Sequence, residues 1–101
     1  MTIDIKSVNG HAVAILNGEI DHHNAQEIRT QLDKYIMTVQ PSELTMDFGN
    51  ITFMDSSGIG LIMGRSRLMR ECGGNLEVRN PQPYIRRVMK LAGMERLVKI
   101  T

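Results

Sequence analysis

The sequence predicts an α/β fold: an N-terminal β-hairpin, then three βα units forming a mostly parallel sheet with its helices packed mainly on one face. Three observations carry this. Short apolar runs of strand length recur at 3–5, 11–16, 43–48, 75–79 and 97–100. The last four are separated by segments at 24–39, 57–72 and 81–92 whose apolar residues recur at helical spacing. The runs at 43–48 and 75–79 are apolar on one face and polar on the other, the mark of a sheet covered on one side. A hairpin followed by helical crossovers implies parallel pairing with right-handed connections.

Taken in order, Ile3 and Ile5 begin the first strand, and Asn9-Gly10 is a strong hairpin turn signal. In the second strand Val13 and Ile15 face oppositely to Ala12, Ala14 and Leu16. Both faces are apolar, which predicts a central strand. Asn17-Gly18 is expected to close it, leaving 19–23 as a loop. Asn24 with Glu27 three residues on is expected to form a capping box. The helix it opens carries Ala25, Ile28, Leu32, Ile36 and Val39 as its stripe and ends at Pro41. Leu44, Met46 and Phe48 alternate with Glu43, Thr45 and Asp47 in the third strand. The helix after Ser56 stops at Gly73-Gly74, and Leu76 and Val78 point inward from the fourth strand. Pro81-Gln82-Pro83 opens a third helix whose stripe is Ile85, Val88, Met89 and Ala92 and whose end is Gly93. Leu97-Val98-Lys99-Ile100 reads as the last strand.

A chain of 101 residues supports one domain, 1–101, and 42% hydrophobic with 23% charged residues excludes a disordered or fibrous protein. No run approaches the length needed to span a bilayer, and no basic flank precedes an apolar leader. A lone cysteine, Cys72, forms no internal disulfide and fits the cytoplasm. Residues 1–55 carry eight acids against three bases, a net of −5, and residues 56–101 carry nine bases against three acids, a net of +6. This asymmetry raises nucleic-acid binding, but the basic half has almost no aromatic residue for base stacking. A dipolar domain with solvated helix faces is the favoured reading.

Enzyme signatures are missing: no phosphate-binding loop, no dinucleotide glycine fingerprint and no paired-cysteine metal motif. Asp55 stands where a hydrolase nucleophile elbow needs glycine. A triad of Ser56, His22 or His23, and Asp21 has no further support, and adjacent histidines on one loop rarely share an ion.

The sign of the charge changes at Phe53-Met54-Asp55-Ser56-Ser57-Gly58-Ile59-Gly60, which reads as a strand or loop ending at the mouth of a helix. A hydroxyl there is either a cap for the unpaired N–H groups or a site of modification. A phosphate on it would meet those N–H groups and the helix dipole, and would add roughly −1.5 to −2 charge beside Asp55. Loops after parallel strands gather on one rim, so 19–24 and 53–57 are expected to be neighbours, with Asp21 near the same hydroxyl. The helix is also more apolar than one buried stripe needs. Ile59, Leu61, Ile62, Met63, Leu68, Met69 and Cys72 spread over about half its circumference. Its first turns therefore offer either a covered face or a contact patch. Gly58 and Gly60 would permit close approach, and Arg65 would lie within the arc as a snorkelling side chain or an anchor for a partner.

At these residues the chain resembles the bacterial STAS-domain family, in particular anti-sigma factor antagonists of the sporulation type. Gly18-Glu19-Ile20-Asp21-His22-His23 is similar to the family's first functional loop. Phe53-Met54-Asp55-Ser56-Ser57-Gly58-Ile59-Gly60-Leu61-Ile62-Met63-Gly64-Arg65 is similar to its phosphorylation-site segment. The resemblance covers nearly the whole chain and implies a single STAS domain acting as a regulatory protein, with no cofactor and no metal.

It further implies partner switching. Unphosphorylated, such a protein binds a cognate anti-sigma factor that is itself a serine kinase, and so frees the sigma factor. Phosphorylation of the serine directly after the motif's acid, here Ser56, dissociates the complex, and a PP2C-type phosphatase restores it. The expected contact residues are Asp21, His22, Asp55, Ser57, Gly58, Ile59, Met63 and Arg65, with Ser57 the better candidate for the cap. Sporulation members often carry a further helix after the last strand, whereas this sequence ends at Thr101. The branch stays open between sporulation, general stress and another switch. The rival from a different class is a STAS scaffold or transporter-associated subunit that is never phosphorylated.

Overall fold

The computed structural model describes residues 2–101. Its elements are β1 (Thr2–Val8), β2 (His11–Ile20), α1 (Ala25–Val39), β3 (Glu43–Met54), α2 (Ser56–Glu71), β4 (Asn75–Arg79), α3 (Pro83–Leu91) and β5 (Lys99–Ile100). A 3₁₀ turn at Met94–Arg96 precedes β5. Alternating strands and helices thus follow the expected order. The sheet runs β1-β2-β3-β4-β5, with β1 antiparallel to β2 and the other pairs parallel. Each strand is added on the same side of its predecessor. Right-handed crossovers then put all three helices on one face.

The core lies between that face and the helices. Ala12, Ala14, Leu16, Leu44, Met46, Phe48, Leu76 and Val78 point up from the strands and are buried. They meet Ile28, Leu32 and Ile36 of α1, Leu61, Ile62 and Met69 of α2, and Ile85 and Met89 of α3. The expected stripes are narrower at their ends. Val39 is about half exposed and Ala92 is exposed, each at the C-terminal end of its helix. Only Lys99 and Ile100 of the last predicted strand pair with β4, since the 3₁₀ turn takes up the chain before Leu97. On the uncovered face Thr45 departs from the polar, solvent-facing role expected of it. Its hydroxyl donates to Glu77 (3.0 Å), accepts from His11 Nε2 (2.8 Å) and is fully buried beneath them.

Two departures from the expected boundaries build the functional end of the molecule. β2 does not stop at Asn17-Gly18 but continues to Ile20, and β3 continues past Phe48 to Met54. Gly18, at φ 112°, absorbs an irregular register in place of turning the chain. The extensions pair Asn17 with Asn50 and Ile20 with Met54, carrying both strands to one rim. There the Asp55 N–H bonds the Ile20 carbonyl (3.1 Å), so the loop after β2 and the mouth of α2 are fixed side by side.

Candidate functional site

The helix α2 starts at that rim, and its cap is Asp55, not Ser57. Asp55 has extended backbone (φ −94°, ψ −173°), and its Oδ1 accepts the Ser57 N–H at 2.9 Å. The same oxygen accepts a short hydrogen bond from the Ser57 hydroxyl. Oδ2 accepts the His22 N–H (3.3 Å), and the His22 ring nitrogen Nδ1 lies 4.0 Å from it. These donors, the Ser57 hydroxyl foremost and its amide next, hold the Asp55 carboxyl below the usual carboxylate range. One acidic side chain therefore ties the helix mouth to the neighbouring loop and stays ionised.

The loop is ordered by a second acid. Asp21 Oδ1 accepts the N–H groups of His23 (2.9 Å) and Asn24 (3.1 Å), while Asn24 Oδ1 accepts the Asp21 N–H (3.0 Å). Asn24 Nδ2 also donates to the Glu19 carbonyl (2.7 Å). The expected capping box of Asn24 and Glu27 is consequently not formed. The Asn24 side chain is turned back into the loop and makes no cap hydrogen bond to α1. His22 and His23 stand exposed with their rings 4.0 Å apart.

The two serines are thereby separated in role. Ser57 is half-buried, with both its amide and its hydroxyl engaged by Asp55. Ser56 is exposed, is the first residue of α2 and makes no side-chain hydrogen bond among the described residues. Beyond it on the helix surface lie Ile59 and Met63, both half-buried, and exposed Gly60. These positions, three, four and seven residues on, fall on the Ser56 side of the helix.

Two expected contact residues are buried. A Cβ at Gly58 would overlap the buried side chain of Met54, with Ile20 Cγ2 at 3.5 Å, so glycine here lets the first turn of α2 sit on the ends of β2 and β3. Arg65 is 7% exposed and points into the α1–α2 seam. Its Nε lies 2.7 Å from Asp33 Oδ1, an ion pair without the alignment of a hydrogen bond, and Nη1 donates to the Leu61 carbonyl (3.3 Å). Burial lowers the Arg65 pKa, and Asp33 opposes that shift. Arg65 thus fastens two helices and is not available as an anchor for a partner. Above the seam a groove of about 500 Å³ runs past Ala25, Arg29, Ser57, Gly60 and Gly64.

Phe53 was not among the expected contacts, yet it is 44% exposed at the end of β3. Next to it the Tyr84 hydroxyl donates to the Thr52 carbonyl (2.7 Å) and brings the first turn of α3 to the same strand end. The signal for Phe53 in the sequence was the broken alternation at Ile51, Phe53 and Met54. For Tyr84 there was none, because its partner is a backbone carbonyl distant in sequence.

The fold has counterparts. The STAS domain model matches residues 2–101. The anti-sigma F factor antagonist of Paenibacillus polymyxa is 32% identical over 100 residues, which cover 99% of this chain and 86% of that protein. The solved structure of the anti-sigma factor antagonist SpoIIAA in its unphosphorylated form superposes with a TM-score of 0.85 at 30% identity, covering 99% of this chain and 88% of the other. The phosphorylated form of the Bacillus cell fate determinant SpoIIAA gives 0.76 at 30% identity, covering 99% and 91%. With its five-stranded mixed sheet and three helices, the chain belongs to the STAS domain family and is similar within it to anti-sigma factor antagonists of the SpoIIAA kind.

Proposed function

We propose that this protein is an anti-sigma factor antagonist that works by partner switching, with Ser56 as its phosphoacceptor. Unphosphorylated, it binds a cognate anti-sigma factor with serine kinase activity in the cytoplasm and so releases a sigma factor. That kinase phosphorylates Ser56 and is thereby dismissed, and a PP2C-type phosphatase resets the switch. The protein is the substrate in this cycle and not the enzyme.

The observation that carries the proposal is the division of labour between adjacent hydroxyls. Ser57 is engaged by Asp55, while Ser56 stands exposed at a helix N-terminus with no side-chain hydrogen bond among the described residues. A phosphate there would bring roughly −1.5 to −2 charge next to the ionised Asp55, with Asp21 on the adjoining loop. A partner surface complementary to a neutral hydroxyl among Ile59, Gly60, Met63, Phe53 and His22 would then meet uncompensated charge and lose affinity. Gly58, Arg65 and Ser57 support this surface from beneath, and Asp21 shapes the loop beside it.

The test is to capture the partner and then supply ATP. A histidine-kinase-like ATPase should be retained, should transfer a single phosphate to the wild-type chain, and should transfer none to Ser56→Ala. Ser57→Ala should remain an acceptor. Ser56→Asp should weaken the complex. Unchanged phosphate incorporation into Ser56→Ala would overturn the site, and recovery of transporter subunits with no kinase would favour a scaffold role.

A further inference from the structure

The sheet ends on one side at β1, whose outer edge bonds to nothing among the described residues, whereas the other edge, β5, is two residues long. β1 has seven residues, no proline and no register shift against β2. A strand edge of this length is normally blunted by charge, proline or a bulge. Here the only charges are Asp4 and Lys6, one of each sign, flanking Ile5.

Which groups the edge offers follows from the hairpin. Asn9 (φ 52°) and Gly10 (φ 81°) form a two-residue turn that closes on the pair Val8 and His11. That closing pair exchanges hydrogen bonds, so Val8, Lys6, Asp4 and Thr2 direct their backbone groups toward β2. Ser7, Ile5 and Ile3 direct theirs outward. The outward residues also have side chains on the helix-covered face. Ile5 lines a mostly apolar groove of about 350 Å³ with Gln31, Lys34, Tyr35, Thr38 and Val39, the last 48% exposed.

We infer that this edge is the interface of a homodimer, in which β1 of one copy pairs antiparallel with β1 of a second about a two-fold axis through Ile5. Only outward-facing residues can hydrogen-bond across the edge, which leaves three central registers, those centred on Asp4, Ile5 and Lys6. One centred on Asp4 or on Lys6 sets like charges directly opposite each other. The register centred on Ile5 hydrogen-bonds Ile5 to Ile5 and Ile3 to Ser7 of the second copy. It also sets Asp4 against Lys6 twice, in the closer, non-hydrogen-bonded positions. Directly opposed Cβ atoms lie about 4.5–5.5 Å apart, which delivers the second copy's Ile5 to the open groove beside Tyr35 and Val39. The strand is thus complementary to itself in backbone register, charge and apolar face. None of its residues belongs to the Ser56 site, so the inference stands or falls apart from the function proposed above.

Sedimentation equilibrium of the full chain from micromolar to millimolar concentration tests it. A monomer–dimer equilibrium is expected. Lys6→Glu should weaken it by about tenfold or more, because each dimer contains the pair twice. The swap Asp4→Lys with Lys6→Glu should restore it. In a Cys72→Ser background, mixing Asp4→Cys chains with Lys6→Cys chains under oxidation should give a disulfide-linked pair, since opposed Cα atoms in that position lie about 4.5 Å apart, within disulfide range. A chain that stays monomeric throughout would overturn the inference and leave the edge to a strand from another protein. So would a dimer indifferent to the charge changes that yields no cross-link.

Discussion

Removing Asp33 should destabilise the protein more than removing its partner Arg65, although the two form one ion pair. Arg65 is 7% exposed, while the Asp33 side chain is 33% exposed, so water solvates the carboxylate far better than the guanidinium. At 2.7 Å and an effective dielectric constant near 20, the gross attraction is about 6 kcal/mol, much of it offset by desolvation of the guanidinium. Asp33→Ala leaves that guanidinium with the Leu61 carbonyl as its one acceptor among the described residues. Breaking a wholly buried pair from one side costs about 3–5 kcal/mol. The open groove beside Arg65 admits some water and brings the expected loss to about 2–3 kcal/mol. Arg65→Met keeps an apolar stem packed between the helices and leaves a carboxylate that water can solvate, for a loss of about 1 kcal/mol or less. The double variant should lie near Arg65→Met alone, because Asp33 no longer has a charge to neutralise. Urea unfolding followed by circular dichroism, at unchanged m, measures all three. Each kcal/mol should also move the melting temperature by roughly 4–8 °C. Equal losses for the two single variants, or a double variant as unstable as their sum, would refute the unequal-solvation argument.

Three further outcomes follow from the helix mouth. Gly58→Ala gains helix propensity but drives a methyl into Met54, which is buried and has little room to yield; overpacking should win, with a net loss of about 1–2 kcal/mol in the same unfolding assay. A gain in stability there would show that Met54 repacks freely. The folded pKa of Asp55 lies below its unfolded value, so its contribution is present above the unfolded pKa and is lost as pH falls through the lowered folded one. Asp55→Asn keeps an acceptor for Ser57 but removes the titration, so its melting temperature should fall less steeply than wild type in that acid window. Parallel pH profiles would remove Asp55 as the responsible group. Phosphopeptide mapping of Asp55→Ala adds a direct readout of the serine pair. Freed from its acceptor, Ser57 should begin to take phosphate in competition with Ser56, and exclusive labelling of Ser56 would show that the cap does not select the site.

Much of the fold is written in local pattern. Asn9-Gly10 specifies its hairpin because a two-residue turn with positive φ at both positions matches strand twist, and both residues adopt such values. The stripe Ile28, Leu32 and Ile36 specifies the buried face of α1 through the helical repeat. Local pattern misleads where another interaction competes for the same group. Gly18 reads as a turn, yet the pairing of Asn17 with Asn50 and of Ile20 with Met54 lets the strand run on through an irregular register. Asn24 and Glu27 read as a capping box, yet the polar groups of the Asp21 loop recruit the asparagine first.

The same division holds at the site. By itself the sequence determined that an acid and two serines stand at the mouth of a helix following a strand, on the rim that Asp21 shares, because period and turn chemistry are properties of neighbouring residues. Only the tertiary structure decided which hydroxyl is free. That choice depends on the Asp55 carboxylate reaching Ser57 with one oxygen and the His22 amide with the other, 33 residues away in the chain. It decided likewise that Arg65, whose place on the apolar arc is compatible with a partner anchor, is spent on Asp33. The orientation of a long side chain follows the charge across the seam and not its own position in the helical repeat.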